Sequence, residues 1–235
     1  MDTYVLVHGA WHGGWCWYKV VALLEKEGHR VVAPDMPGHG SDKTPISEVT
    51  FESYVQRVCG IIDAQSEPLI LVGHSWGGHI ITQVAEYRPE KIKLLVYLTA
   101  FLVASGEQML QVGKESILMS NVIVSEDQSY TTVRADAVKE VFYHDCSDED
   151  VALAKLLLVP QARVSPVLSN ITEQNFGRIP RIYIECLQDK AITPLRQKEM
   201  YTCLPCQKLI SMNTSHSPFF SAPIELAKNL ISLAD

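Results

Sequence analysis

The sequence predicts an α/β fold, with a mostly parallel central sheet, helices on both of its faces, and a helical insertion before the last two strands. Three observations lead there. Short unbroken apolar runs such as Val5-Leu6-Val7 and Leu69-Ile70-Leu71-Val72 read as strands covered on both faces. Amphipathic stretches of helical length alternate with them, as parallel strands require. The alternation stops between residues 105 and 178 and then resumes.

Taken in order, residues 4–7 form the first strand, followed by a loop rich in Gly and Trp. Residues 17–26 read as a helix with Val20, Val21, Leu23 and Leu24 inward. Gly28-His29-Arg30 then turns the chain into a strand at 31–33 that ends at Pro34-Asp35. A helix at 51–64 precedes the strand 69–72. The helix 78–87 carries Ile80, Ile81, Val84 and Ala85 at helical spacing, and a strand follows at 94–98. In the next segment Met109, Leu110, Val112, Ile117, Leu118, Met119 and residues 138–142 suggest helices joined by loops. Strands at 181–185 and 208–211 alternate with helices at 194–203 and 222–233. An insertion between two sheet strands lies over the carboxyl edge, where ligands bind in such folds. Residues 105–178 are therefore expected to form a lid on a core made of residues 1–104 and 179–235.

Composition narrows the class. A chain of 235 residues that is 47% hydrophobic and 20% charged can bury a substantial globular core. A net charge of −7 without a basic stretch argues against nucleic acid or an anionic membrane as partner. The N-terminal residues lack a basic region followed by a long apolar one, so a soluble cytoplasmic protein is expected. Cys16, Cys59, Cys146, Cys186, Cys203 and Cys206 are then reduced thiols. Cys203-Leu204-Pro205-Cys206 has CxxC spacing but neither a second pair nor a strand–turn–helix setting.

The most informative motif is Gly73-His74-Ser75-Trp76-Gly77-Gly78, directly after a strand and directly before a helix. A strand that turns sharply into a helix brings its backbone close to its neighbours, which favours glycine two positions either side of the tip. The tip residue is held exposed, and the following N–H faces a developing oxyanion. A serine N-cap in a glycine-rich turn would explain the pattern without chemistry, but the strand–turn–helix setting favours a nucleophile. A serine hydroxyl needs a base, and the base needs an orienting group. Asp189 follows the strand 181–185 and His216 follows 208–211, so both belong to the same sheet edge as Ser75. The order nucleophile, acid, histidine is the one this scaffold uses.

The rivals fit less well. His8 ends the first strand, but Gly9 and Ala10 beside it suit a loop whose backbone approaches the site. His74 must point away from the Ser75 hydroxyl. His12, His29, His39, His79 and His144 have no acid partner at a strand end, and Asp35 is better suited to anchoring the loop Met36–Ser41. His8 and His12 lie among glycines with no HExxH pattern, so neither a metal nor another cofactor is expected. The oxyanion donors are assigned to the backbone N–H groups of Trp76 and Ala10.

With these residues placed, the chain resembles the α/β-hydrolase superfamily. More narrowly, it is similar to the plant-type methylesterase and hydroxynitrile lyase group and to small bacterial, pyrethroid-type carboxylesterases. The resemblance rests on the run from His8-Gly9-Ala10-Trp11 through Trp17, on Asp35-Met36-Pro37-Gly38-His39-Gly40-Ser41, on the Ser75 motif, and on Tyr97-Leu98-Thr99-Ala100-Phe101. It implies the α/β-hydrolase fold, Ser75 as nucleophile, His216 as base, Asp189 as orienter, and Ala10 and Trp76 as oxyanion donors. Lyases of this group carry threonine and lysine where this chain has Gly9 and Ser217, so cyanohydrin cleavage lacks its cation. Gly9, Trp76 and Ser217 are expected to face the substrate. The resulting expectation is a serine carboxylesterase acting on small to medium hydrophobic esters, methyl, aryl or pyrethroid-like. The apolar lid residues Met109, Leu110, Phe142, Leu156 and Leu157 point the same way. Alternatives are a lyase or a catalytically weak binding protein on the same scaffold, and a homodimer is left open.

Overall fold

A computed structural model describes residues 1–103, 112–113, 115–164 and 171–233. Its strands are β1 (Thr3–Val7), β2 (Arg30–Val32), β3 (Leu69–His74), β4 (Ile92–Leu98), β5 (Val122–Val124), β6 (Tyr130–Val133), β7 (Gln161–Ala162), β8 (Arg181–Cys186) and β9 (Lys208–Met212). The helices are α1 (Tyr18–Lys26), α2 (Phe51–Asp63), α3 (Gly77–Tyr87), α4 (Val138–Phe142), α5 (Asp148–Leu157), α6 (Pro194–Cys203), α7 (Pro218–Ser221) and α8 (Pro223–Ile231).

Six strands form one sheet in the order β2-β1-β3-β4-β8-β9, and every pairing in it is parallel. The unbroken apolar runs occupy its centre. All of β3 is buried, and in β4 only Lys93 reaches solvent, because helices cover both faces. α2 shows how the cover is attached. Phe51, Tyr54, Val55, Val58, Cys59 and Ile62 are its buried stripe, and Thr50 and Ser53 cap one another reciprocally at 3.0 Å. α1 ends in a Schellman turn. Gly28, at φ = +83°, donates to Glu25, and His29 donates to Leu24, which sends the chain into β2.

The expected helix at 222–233 is α8, and a short unexpected helix, α7, precedes it. Pro218 and Pro223 open α7 and α8, with Ala222 between them out of helical conformation. The insertion also differs from the helices-and-loops expectation. It holds α4 and α5, but β5, β6 and β7 form a small antiparallel sheet. Val122-Ile123-Val124 and Tyr130-Thr131-Thr132-Val133 are β-branched runs joined by a polar turn, where Asp127 accepts from Ser125 Oγ and from Ser129 N–H and Oγ. These short, half-exposed strands have no apolar periodicity to betray them. Val112 and Leu118 are buried, whereas Met109 and Leu110 lie outside the described residues. Leu156 is 83% exposed and Leu157 also faces solvent, so neither contributes the apolar substrate surface expected of it. No helix among the described residues is long and apolar enough to cross a membrane.

Candidate active site

β3 ends at His74 and α3 begins at Gly77, so Ser75 and Trp76 make the entire turn. Ser75 adopts φ = +52°, a left-handed conformation that a non-glycine residue enters only under constraint. The constraint is visible in its bonds. Its N–H donates to Leu98, and its carbonyl accepts from both Gly78 and Phe101 at 3.0 Å. A β-carbon on Gly73 would lie 2.9 Å from the Gly77 carbonyl oxygen, and one on Gly77 would lie 2.8 Å from that of His8. Both glycines of the pattern are therefore steric necessities. Ser75 itself is half-buried between buried neighbours.

Asp189 and His216 leave the sheet on the loops after β8 and β9. His216 Nδ1 lies 2.6 Å from Asp189 Oδ2, and both residues are buried. Asp189 Oδ1 accepts from the Ala191 and Ile192 N–H groups at 2.7 and 2.9 Å, while Oδ2 also accepts from the Thr99 hydroxyl. Every acceptor position of this carboxylate is thus used. His74 donates from Nε2 to the His216 carbonyl at 2.8 Å, with the ring centroids 4.6 Å apart, so the serine turn and the histidine loop are pinned together. The insertion supports the same loop. Asp145 accepts from Ser215 N–H at 2.8 Å, and the Phe142 ring lies 5.5 Å from that of His216.

The loop after β1 approaches from the other side. A β-carbon on Gly9 would fall 2.8 Å from Ser75 Cβ and 3.1 Å from His74 Nδ1, so no side chain fits between them. Among the described residues, neither the Ala10 nor the Trp76 N–H donates to a protein acceptor. His8 Nε2 accepts from Met36 N–H, which leaves Nδ1–H to donate to the Gly9 carbonyl at 2.8 Å. That carbonyl belongs to the same peptide unit as the Ala10 N–H and fixes its direction. His12 donates to the Ala10 carbonyl at 2.7 Å and accepts from the Tyr143 hydroxyl. Trp11, at φ = +62°, is clamped by the insertion. Its N–H donates to Gln161 Oε1, its indole N–H to Thr131, and its carbonyl accepts from Val159.

Burial lowers the basicity of the nearby histidines. It holds His8 and His74 well below the usual histidine range and takes His12 down to about 3. These three are neutral hydrogen-bonding groups of the scaffold. Asp35 accepts from the N–H groups of Gly14 and Ser41 and from the Ser41 hydroxyl, the loop-anchoring arrangement expected of it. His29 packs edge-on against Tyr4, His79 stacks on Phe101, His144 Nε2 donates to the Gln188 carbonyl, and His39 faces the Pro37 carbonyl and the Gln161 amide. Trp76 packs edge-to-face on Phe51 and Tyr54 of α2, at 5.8 and 5.3 Å. Ser217 is completely buried at the start of α7, and its carbonyl accepts from the Cys146 thiol. Among the described residues no group of His, Cys, Asp or Glu is arranged to hold a metal ion. Burial raises the Cys206 thiol to about 11, which is the reverse of a reactive redox cysteine.

Thr99, Asp145, Tyr143 and Gln161 were not singled out by sequence reasoning. Thr99 stood within a motif that carried the resemblance, yet nothing local signals its partner 90 residues away.

A family model described as the alpha/beta hydrolase family matches residues 4–229. Methylesterase 1 of Arabidopsis thaliana is 34% identical, over 99% of this chain and 95% of its own length. A pyrethroid hydrolase of Sphingobium wenxiniae is also 34% identical, over 98% and 87%. The chain spans 64% of the length of the putative chloroplastic methylesterase 11 of Arabidopsis thaliana. Among solved structures, a pyrethroid hydrolase of Sphingobium faniae superposes with a TM-score of 0.88 at 32% identity, covering all of this chain and 97% of that one.

Proposed function

We propose that this chain, which belongs to the alpha/beta hydrolase family, is a serine carboxylesterase with Ser75 as nucleophile. The observation that carries the reading is the 2.6 Å bond between His216 Nδ1 and Asp189 Oδ2, on the two loops that share a sheet edge with a serine held at φ = +52°. His216 takes the Ser75 proton as the hydroxyl attacks the ester carbonyl. The oxyanion is received by the Ala10 and Trp76 N–H groups, each worth about 3 kcal/mol in such sites. His216 then protonates the departing alcohol, and water releases the acyl group by the same steps in reverse. Asp189 fixes the imidazole tautomer and stabilises its charged form.

Relatives named methylesterase and pyrethroid hydrolase support an ester bond as the target. Small to medium hydrophobic esters are the substrate class we assign, with residues 105–178 as the lid over the site. Hydrolysis of p-nitrophenyl acetate and butyrate, with EDTA present and Ser75→Ala alongside, tests the reading. Turnover that disappears in the variant is expected. Turnover that survives in Ser75→Ala would overturn it.

A further inference from the structure

We propose that Thr99 is a positioning residue that holds Asp189 and sets how strongly His216 retains its proton; this rests on the esterase reading above. The non-glycine residues at positive φ among those described are Trp11, Ser75, Thr99 and Gln128. The first three follow β1, β3 and β4, on the edge where Ser75 sits. Thr99, at φ = +37°, is the β-branched one, and a branched Cβ makes this conformation especially unfavourable. The backbone requires the turn there. Thr99 N–H donates to Ile184 at 2.8 Å, and two residues later Phe101 N–H donates to the Ser75 carbonyl. Glycine would meet that requirement without strain. What threonine adds is a hydroxyl, which is wholly buried and donates to Asp189 Oδ2, the same oxygen that receives His216 Nδ1–H.

The two donors compete for one oxygen. A hydroxyl bonded to Oδ2 takes part of its negative charge, and the carboxylate then attracts a protonated imidazole less strongly. Removing the Thr99 hydroxyl is therefore expected to strengthen the hold of Asp189 on a protonated His216. The β4–β8 pairing places the hydroxyl beside the carboxylate, and the Ala191 and Ile192 N–H groups stop Oδ1 from rotating into its place. Among the described residues, the other titratable groups facing His216 are His74 on the serine turn and His12 on the first loop, while Asp145 on the insertion holds the adjoining Ser215 N–H; a change at Thr99 removes none of them.

The test compares kcat/KM against pH for p-nitrophenyl butyrate in the unchanged enzyme and in Thr99→Val, Thr99→Ala and Thr99→Ser. Valine keeps the shape, alanine relieves the branched strain, and serine keeps the hydroxyl. In Val and Ala the acid limb is expected to move up by about 0.5–1 pH unit, and the plateau to fall by about threefold to tenfold. Serine should restore both. The far-downfield proton resonance of the His216–Asp189 bond provides a readout independent of turnover. It is expected further downfield in Val and Ala than in Ser. An unmoved limb and resonance in an active Thr99→Ala enzyme would overturn this inference alone. Absence of Ser75-dependent hydrolysis in the unchanged enzyme would overturn the esterase reading, and this inference with it.

Discussion

Asp189→Asn replaces one oxygen of a carboxylate whose four acceptor positions are all occupied, so the consequence follows from where the amide nitrogen goes. If it replaces Oδ1, an NH₂ group faces the N–H groups of Ala191 and Ile192, which stand 2.7 and 2.9 Å away and have no freedom to turn. Two buried donors left unpaired cost about 1–3 kcal/mol each. If it replaces Oδ2, the NH₂ faces the Thr99 hydroxyl, which can rotate to accept, and His216 Nδ1, which can accept by moving its proton to Nε2. The second orientation is cheaper, and it places the imidazole in the tautomer that cannot take a proton from Ser75. A tautomer error of this kind lowers kcat by about 10⁴, or about 5.4 kcal/mol. The assay is p-nitrophenyl butyrate turnover with far-UV circular dichroism and thermal melting as folding controls. Asp35→Asn is the comparison, because among the described residues the Asp35 carboxylate bonds to Gly14 and Ser41, away from His216, and its change should cost stability while leaving kcat within about tenfold. Asp189→Asn within tenfold of the unchanged enzyme, with Asp35→Asn far below it, would refute the assignment.

Two further outcomes follow from the packing. Gly9→Ala puts a β-carbon 2.8 Å from Ser75 Cβ, and because the serine turn is fixed by three backbone bonds, kcat/KM should fall by about tenfold or more with a lowered melting temperature; kinetics and a melt of the same preparation check it. Glu86 accepts from Thr172 N–H and Oγ1, Asn175 Nδ2 and Phe176 N–H, and these bonds hold its carboxyl below the usual range despite the opposing effect of burial. A lowered folded-state value means that the contribution is complete above the ordinary carboxylate range, near pH 4.5, and fades as pH falls through the folded value. Glu86→Gln should therefore cost about 1–2 kcal/mol in urea unfolding at pH 7, with the difference narrowing toward pH 3.

The sheet was legible because strands buried on both faces leave unbroken apolar runs, and β1, β3 and β4 are such runs. The serine turn was legible because its steric demands are met within six consecutive residues. The small sheet of the insertion was not, since half-exposed β-branched residues such as Val122 and Thr131 carry neither periodicity. Nor were the supports of the site. Trp11 with Gln161, His12 with Tyr143 and Thr99 with Asp189 are contacts between residues far apart in the chain, made by the packing of the insertion and by strand adjacency. A sequence read locally names the residues of the candidate site but not what holds them in place.

The most direct test of Ser75 as an activated nucleophile is intact mass and peptide mapping after exposure to a p-nitrophenyl alkylphosphonate, alongside Ser75→Ala and His216→Ala. A single adduct on the peptide carrying Ser75 is expected, absent in Ser75→Ala and formed at least 10²-fold more slowly in His216→Ala, as loss of a general base requires. Labelling at another residue, or equal labelling rates with and without His216, would contradict it.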